Sequence, residues 1–401
     1  MKNFFQKILV GDKYLLAFIM LLAIFSLLPG FSASSSIEYA AQTGTVFGQF
    51  GKQFAFLIVG LIILFSMQMI DYKYIGGMAV IAMPIIIILL IWTLFQNTTV
   101  DGANASRWLK IPGIPLTIQT STLAGVVLMV YVARYLTLIR NKKVAFAETL
   151  VYLLLPVFIV IALIFPANGS TAVILFAMVM ILLFIGGYPI KYLAVIGFSI
   201  IIAGGIFIYI AMNHSEKLPS HRVNTWKNRI ERFTNPSDNS LEEWQETNAK
   251  AAIVEGGQFG KGPGKSAIKH TLPQASSDFI YAVIIEEYGS IGGIFLIFLF
   301  MLVLFRIILI ATKIHTYFGS LVVFAVGIPI IFQAIINMGV AVGLFPTTGQ
   351  PLPMISYGGT SLWITCLAFG IILSVSRQIK SKEELELETK KLSEEIIQDI
   401  A

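Results

Sequence analysis

The chain has 401 residues, of which 56% are hydrophobic and 12% are charged, with a net charge of +6 at neutral pH. Soluble domains carry about 25% charged residues, so this composition excludes an ordinary water-soluble protein and indicates a protein of the lipid bilayer. The apolar runs are continuous, as over residues 83–92, which excludes the alternating pattern of a membrane β-barrel. We therefore predict an all-α polytopic membrane protein with about ten spanning helices of roughly 20 residues each.

Composition excludes two further kinds of site. The single cysteine, Cys366, cannot form a disulfide framework, and with four scattered histidines it gives no zinc-binding spacing. On a membrane protein the positive charge indicates cytoplasmic loops and contacts with anionic membrane lipids. We therefore expect membrane lipids as partners and no nucleic acid.

The predicted spans follow one another from the N-terminus. They cover residues 14–30, 53–70, 76–95, 119–139, 148–165, 170–187, 191–212, 279–311, 318–343 and 352–376. The first apolar run also resembles a cleavable signal peptide, but the spans that follow favour a first membrane helix. The eighth run is longer than a bilayer requires, and we expect it to begin as an outer, partly wet helix.

The lysines and arginines of the short loops predict the orientation. Most of them lie on the side that holds both chain ends, whereas the opposite short loops carry only Lys52, Arg107 and Lys110. This distribution predicts cytoplasmic termini and places the long loop 214–278, between helices 7 and 8, outside. Residues 1–376 then form one transmembrane domain, and 377–401 form a charged cytoplasmic tail, either a solvated helix or a docking helix.

Two outer segments carry basic side chains that suit a phosphate. Arg107 stands beside Trp108, where it either reaches lipid headgroups or holds a substrate phosphate with its bidentate guanidinium. Arg222 belongs to a basic stretch over 221–233 that is typical of an amphipathic helix on the membrane surface. Such a helix binds either headgroups alone or a phosphorylated lipid substrate.

A glycine-rich stretch follows at residues 256–270. It is not a nucleotide-binding P-loop, because Phe259 occupies the place of the first required glycine and no strand precedes it. Its glycines would still let backbone amides approach an anion closely, with Lys265 and Lys269 adding positive charge. The alternative is a mobile loop without a ligand.

Acidic residues mark the start of the eighth span. Asp278 stands at the mouth of the apolar helix, where it either caps the helix or takes part in chemistry. Glu286 and Glu287 lie about two turns further in, and carboxylates at membrane depth are costly and often functional. They either pair with a buried basic residue or hold an ion.

Prolines and glycines interrupt the chain over residues 345–361. Irregular backbone at membrane depth is tolerated only where it lines a cavity or is buried in protein. We predict a cavity wall there, to which Ser356 and Tyr357 offer polar groups.

Three motifs, in this order, resemble those of the SEDS family of bacterial cell-wall polymerases, and the resemblance covers nearly the whole chain. They are G-x-G-x-G-x-S-x-x-K ending at Lys269, LP-x-A-x-x-DF from Leu272 to Phe279, and P-x-x-G-x-PLP-x-ISYGG-x-S from Pro346 to Ser361. The last motif and the run NASRWL are closer to the FtsW branch of the family than to the RodA branch.

The resemblance implies a peptidoglycan glycosyltransferase that polymerises lipid II on the outer side of the bacterial cytoplasmic (inner) membrane, during septal cell-wall synthesis. Asp278 takes the place of the family's essential aspartate, and we interpret it as the general base of an inverting displacement that releases undecaprenyl pyrophosphate. The predicted substrate contacts are Arg107, Lys269, Arg222, Lys265, Gln119, Ser356 and Tyr357. The resemblance also implies a divalent cation (Mg or Mn) without an organic cofactor, a class B penicillin-binding protein as the cognate transpeptidase, and other divisome membrane proteins as partners.

Several positions depart from the family's usual pattern. Gln119 and Ser121 remain at the start of the fourth span, but other positions are substituted: Thr122, Gly125, Asn168, Gln274 and Ser276. They stand where the family commonly has glutamate, lysine, aspartate, glutamate and histidine. These substitutions leave open how many substrate contacts carry over.

Other functions fit the same composition. An elongation polymerase of the RodA branch would use the same chemistry. A flippase for lipid-linked precursors would use Glu286 or Glu287 for ion coupling and would need no base at Asp278, and a ligase for other lipid-linked glycans would lack the PLP-x-ISYGG run. A non-catalytic division scaffold would use the charged tail and the outer loops for docking.

Overall fold

The computed structural model describes residues 11–41, 46–96, 99–100, 103–104, 108–110, 117–142, 146–213, 241–271 and 277–379. Several sequence predictions fall outside the described residues: those for Arg107, Arg222, Gln274, Ser276 and the tail beyond residue 379.

The described part of the chain is mainly helical. Its helices are α1 (Lys13–Ala41), α2 (Val46–Met69), α3 (Tyr72–Phe95), α4 (Thr120–Ile139), α5 (Phe146–Ile164, π-helical over Leu150–Leu154), α6 (Gly169–Ile185), α7 (Ile190–Asn213), α8 (Leu241–Gly256), α9 (Ile268–Thr271), α10 (Ile280–Lys313), α11 (Tyr317–Ala341) and α12 (Gly359–Ser376). Two antiparallel hairpins precede α4, formed by β1 (Thr99–Val100) with β2 (Ala103–Asn104) and by β3 (Trp108–Lys110) with β4 (Thr117–Gln119).

Length and hydropathy identify the helices that can cross a membrane. In the described residues seven helices qualify, namely α2, α3, α4, α5, α10, α11 and α12, and shorter apolar stretches lie in α1, α6 and α7. Large apolar side chains such as Ile81, Ile85 and Ile88 of α3 are exposed on the outside, as a lipid-facing surface requires. The apolar helices lie where the sequence predicts spans, and the chain is a multi-pass membrane protein.

Two predictions about the last spans need correction. The tenth was predicted from residue 352, but α12 begins at Gly359, because the prolines and glycines of the preceding segment hold it out of a helix. The eighth was predicted to begin partly wet, whereas the first turns of α10 are buried in protein from Ile280 to Glu287. A non-helical Gly289 (φ 71°, ψ −176°) then kinks α10.

Helices α2 and α12 pack extensively against each other, with small residues at their contact. A Cβ atom at Gly60 would lie 2.9 Å from Cys366 Sγ, and one at Gly370 would lie 2.7 Å from the Leu64 carbonyl oxygen. Small residues let membrane helices approach closely enough for dispersion forces to hold them. The buried Cys366 therefore has a packing role at this interface.

Candidate active site

One end of the helix bundle gathers segments that are far apart in sequence. α10 and α12 begin there, α11 ends there, and the irregular segment 342–358 connects α11 to α12. β4 joins this end because Thr360 Oγ1 accepts a hydrogen bond from the Gln119 amide at 3.2 Å and donates one to the Thr117 carbonyl at 3.1 Å. We call this end of the helix bundle the Asp278 end.

Asp278 lies at the mouth of α10, as predicted, and is partly exposed. The sequence left open whether Asp278 caps the helix or takes part in chemistry; in the structure the cap position itself belongs to Phe279, whose side chain makes no capping hydrogen bond. A short turn separates Asp278 from the first helical residue, Ile280. The residue is thus placed before the helix and not within its first turn.

A buried asparagine fixes the backbone of Asp278. Asn337 Nδ2, on α11, donates to the carbonyl oxygens of both Asp278, at 3.0 Å, and Gln350, at 2.8 Å. Asn337 is 1% exposed, so these hydrogen bonds form where water does not compete, and losing them would leave buried carbonyls unpaired. One side-chain amide therefore ties Asp278 to the irregular segment.

Ser356 makes a second tie at the same place. Its hydroxyl donates to the Ser277 carbonyl at 2.6 Å and accepts from the Leu352 amide at 2.7 Å. The prediction that Ser356 offers a polar group to substrate needs correction, because the buried hydroxyl is already bonded on both sides. We call the two ties, from Asn337 and Ser356, the backbone clamp.

Residues at the start of α6 stabilise the backbone clamp through a hydrogen bond to Gln350. Gln350 Nε2 donates to Thr171 Oγ1 at 2.5 Å, and the Asn168 side chain caps α6 by accepting from the Thr171 amide at 3.3 Å. Asn168 stands where the family commonly has aspartate, and the cap needs only the side-chain oxygen that both residues carry. The substitution therefore preserves this support.

Glu286 anchors the glycine-rich stretch to α10. Lys261 Nζ lies 2.9 Å from Glu286 Oε1, which also accepts from the Ala267 amide at 2.9 Å, while the Ser266 hydroxyl bonds the other oxygen. Of the two alternatives for Glu286, the structure shows pairing with a basic residue, although Lys261 is partly exposed and not buried. Hydrogen bonds to Glu255 and then to Glu286 raise the pKa of the Lys261 ammonium, so it is charged at neutral pH.

The glycine loop, residues 256–265, packs backbone against backbone on α10. The amides of Lys261 and Gly262 donate to the carbonyls of Glu286 and Glu287, each at 2.9 Å. The prediction that such amides cradle an anion is wrong for these two, because α10 carbonyls take them. Gly260 has φ +78°, and a Cβ atom there would lie 2.2 Å from the Glu287 carbonyl oxygen, so only glycine fits.

The two lysines predicted to bind substrate have different environments. Lys269 is 7% exposed, and its ammonium donates to the Gly264 carbonyl at 2.7 Å and to Ser32 Oγ at 3.3 Å. The Ser32 hydroxyl in turn donates to Glu287. Lys269 therefore holds the loop to α1 and does not face an open surface, whereas Lys265 is exposed and free to meet a ligand.

Two further predicted contacts lie at the same end of the bundle. Gln119 is buried, and its Oε1 has no hydrogen-bond partner within the described structure. Tyr357 is half-buried, and burial raises the pKa of its phenol, so the hydroxyl stays protonated at neutral pH. Both side chains stay predicted contacts for a polar ligand.

No protein-built metal site is visible in the part of the chain that the structure describes, since it holds no group of three or more His, Cys, Asp or Glu residues. The oxygens of Glu286 are taken by Lys261, Ser266 and neighbouring amides. The predicted divalent cation therefore has no protein-only cage among these residues and stays a prediction.

Sequence patterns alone did not reveal the residues that position Asp278. Asn337 and Gln350 do so through amide hydrogen bonds, and Ser32 and Lys261 secure the adjacent loop. Asn337 could have been identified from the sequence, because a side-chain amide inside an otherwise apolar span is costly unless it is hydrogen-bonded within the protein. The other three lie in segments where polar residues are common.

Comparisons with known proteins identify the family of the chain. The family model of FtsW, RodA and SpoVE, described as cell cycle proteins, matches residues 12–381. A probable peptidoglycan glycosyltransferase FtsW of Enterococcus hirae is 32% identical, over 95% of this chain and 97% of that protein. A protein of the same description from Marinomonas mediterranea is 32% identical, over 94% of this chain and 92% of the relative.

Solved structures share the fold. One of them carries the description "Structural coordination of polymerization and crosslinking by a peptidoglycan synthase complex". It aligns with a TM-score of 0.73 and 23% identity, and the alignment covers 93% of this chain and 99% of the other chain. The rod shape determining protein RodA of Thermus thermophilus aligns with a TM-score of 0.64 and 22% identity, over 93% of this chain and 98% of the other. At this level of identity, these structures support the fold alone.

Proposed function

The chain belongs to the family of FtsW, RodA and SpoVE cell cycle proteins and is a peptidoglycan glycosyltransferase, and on this premise we propose that it polymerises lipid II with Asp278 as general base. The substrate would be two lipid-linked disaccharides, one as donor and one as acceptor. The septal role of the FtsW branch is part of the proposal, with cell elongation as its alternative.

The proposed step is a single inverting displacement. The 4-hydroxyl oxygen of the acceptor sugar forms a bond to the anomeric carbon of the donor, and the bond from that carbon to undecaprenyl pyrophosphate breaks. The hydroxyl proton passes to the Asp278 carboxylate and later to water. A base within hydrogen-bond reach of the attacking hydroxyl contributes about 10²- to 10⁴-fold to such a step.

The backbone clamp is the observation that carries this proposal. It fixes the main chain on both sides of the peptide between Ser277 and Asp278, through Ser356 and Asn337, while Asp278 itself stays partly exposed. A general base must be held in place before the substrate arrives, because misplacement by about 1 Å can cost 100-fold in rate.

Basic residues would meet the charge that develops on the leaving pyrophosphate. We retain Lys265 as a direct contact because it is exposed, and Arg107 and Arg222 as contacts from the outer loops. We assign Lys269 to positioning of the glycine loop, since its ammonium is bonded within the protein. Gln119 and Tyr357 are proposed as neutral contacts at the same end of the bundle.

We also propose a divalent cation, Mg or Mn, that is held mainly by the substrate. Mg²⁺ usually keeps several waters and binds largely through substrate phosphates, and the described residues hold no group of three or more potential metal ligands. When bound, the cation would neutralise charge on the pyrophosphate.

The location and partners complete the proposal. The Asp278 end would face the outside of the cytoplasmic membrane, with both termini inside, as the distribution of lysine and arginine indicates. A class B penicillin-binding protein would crosslink the strands that this chain makes, and other divisome membrane proteins would recruit both. The solved neighbour described as a peptidoglycan synthase complex supports a partnered enzyme.

Lipid II polymerisation by the purified full chain, with its cognate transpeptidase and Mg²⁺, tests the proposal. Wild type is expected to make glycan strands and Asp278→Ala none. The matched control is Glu148→Gln, which removes an exposed carboxylate in the first turn of α5 and is expected to keep full activity. Lipid II translocation into vesicles without strand formation would contradict the polymerase and support a flippase, and neither activity from a folded complex would support a scaffold.

A further inference from the structure

A cavity lies at the end of the bundle opposite Asp278, where α4 and α6 end and α5, α7 and α11 begin. Its volume is about 410 Å³, and its polar lining consists of Arg140, Lys142, Thr149, Tyr188, Tyr192 and Tyr317. Thr171 near the start of α6 contacts the Asp278 end through Gln350, whereas Gly186 after the end of α6 accepts from Tyr317 Oη at 2.6 Å. The cavity is therefore separated from the catalytic region by the length of a membrane helix.

The charge in this cavity is positive. Arg140 and Lys142 are both exposed, and no acidic side chain lines the cavity within the described ranges. The Arg140 guanidinium lies over the Tyr317 ring, 4.2 Å from its centroid. This contact orients the guanidinium, but it leaves the planar N–H donors available for an anion.

A buried hydroxyl in the lining lacks a partner. Tyr188 is 3% exposed, and its Oη makes no hydrogen bond within the described structure, although Thr149 lies close by. A buried donor that finds no acceptor costs free energy, so a ligand oxygen entering the cavity would satisfy it. Tyr192 of the lining is held in place by Phe146, whose ring centroid lies 4.9 Å from its own.

The surrounding bilayer is the nearest source of a ligand oxygen that could accept a hydrogen bond from the Tyr188 hydroxyl. Leu138, Phe184 and Ile190, at the ends of the helices that form the cavity, are 56%, 65% and 70% exposed, as side chains facing lipid would be. Basic pockets between membrane helices near the bilayer surface bind anionic phospholipid headgroups. We propose that this cavity binds the phosphate of an anionic membrane phospholipid, with Arg140 and Lys142 paired to its charge and the Tyr188 hydroxyl donating to one of its oxygens.

A lipid titration of the purified full chain in detergent tests this site. Thermal unfolding is followed while dioleoylphosphatidylglycerol is added, with dioleoylphosphatidylcholine, inorganic phosphate and an acidic peptide as separate probes. Phosphatidylglycerol is expected to raise the unfolding temperature in a saturable way, and phosphatidylcholine to have little effect. Arg140→Gln should weaken the apparent affinity about tenfold and Tyr188→Phe about threefold, as loss of a charged or a neutral hydrogen bond predicts.

The matched control is Lys73→Gln, which removes an exposed positive charge at the same end of the bundle but outside the cavity, and it should leave the affinity unchanged. Tyr188→Phe removes only an unpartnered hydroxyl and keeps the ring, so the folded state should persist. Equal weakening by Arg140→Gln and Lys73→Gln, or equal stabilisation by phosphatidylcholine, would overturn the site. Saturation by inorganic phosphate alone would assign it to a free anion, and saturation by the acidic peptide to a protein partner, and either would overturn the lipid.

Discussion

The residue whose removal most directly tests how Asp278 is held is Asn337. Its amide bonds the carbonyls of Asp278 and Gln350 in a buried environment. We expect Asn337→Leu to lower turnover by at least about tenfold while lipid II binding changes little, because the base would lose its fixed backbone. Rates of glycan synthesis and lipid II affinity, measured on the same preparations, check this.

The matched control lies one turn away on α11. Gln333 Nε2 donates to the Pro351 carbonyl at 2.9 Å, so Gln333→Leu removes a similar hydrogen bond to the same irregular segment without releasing Asp278. Both variants should lose about 1–3 kcal/mol of stability. Equal turnover in the two variants would show that the Asn337 hydrogen bonds are structural only.

At the scale of elements, the glycine loop and the start of α10 act as one unit. Carbonyls of α10 bond the loop amides, while Glu286 bonds Lys261, Ser266 and Ala267. Gly289 at the kink is part of the same fit, since a Cβ atom there would lie 2.1 Å from the Gln258 carbonyl oxygen. The kink in α10 at Gly289 and the packing of the glycine loop on α10 therefore depend on each other.

Gly260→Ala is expected to detach the loop, because the new Cβ atom would meet the Glu287 carbonyl at 2.2 Å and φ is +78°. Gly264→Ala is the matched control: φ is +75°, but nothing lies within 4 Å of its Cβ position. The control should cost only the left-handed strain of about 1–2 kcal/mol. Limited proteolysis should cleave the loop of Gly260→Ala much faster than that of Gly264→Ala, and equal cleavage would contradict the fit.

For the whole molecule, sequence patterns were sufficient to place the membrane helices. Long apolar runs have few alternatives in a bilayer, so the positions of α2 to α5 and of α10 to α12 followed from hydropathy. The start of α12 did not, because hydropathy does not distinguish an apolar loop over 352–358 from a helix. The motif around Pro351 and Pro353 was the better indicator of where α12 begins, since proline interrupts a regular helix.

The candidate site was predictable only in part. Asp278 and the segment after Pro346 were identified by motif, but the hydrogen bond between Asn337 and Asp278 joins residues 59 apart, and no local pattern encodes it. The glycine loop was misread because glycines that approach an anion and glycines that approach another backbone satisfy the same conformational requirement. The distinction depends on which carbonyls α10 presents, which only the folded chain shows.

A base role for Asp278 and a binding role predict different results. Asp278→Asn keeps the shape of the side chain but removes its capacity to accept a proton, so lipid II affinity should stay within about twofold while turnover falls by at least about 100-fold. The measurement is single-turnover glycan synthesis beside equilibrium lipid II binding, on the full chain with its transpeptidase. Turnover near the wild-type rate in Asp278→Asn, at unchanged affinity, would contradict the account.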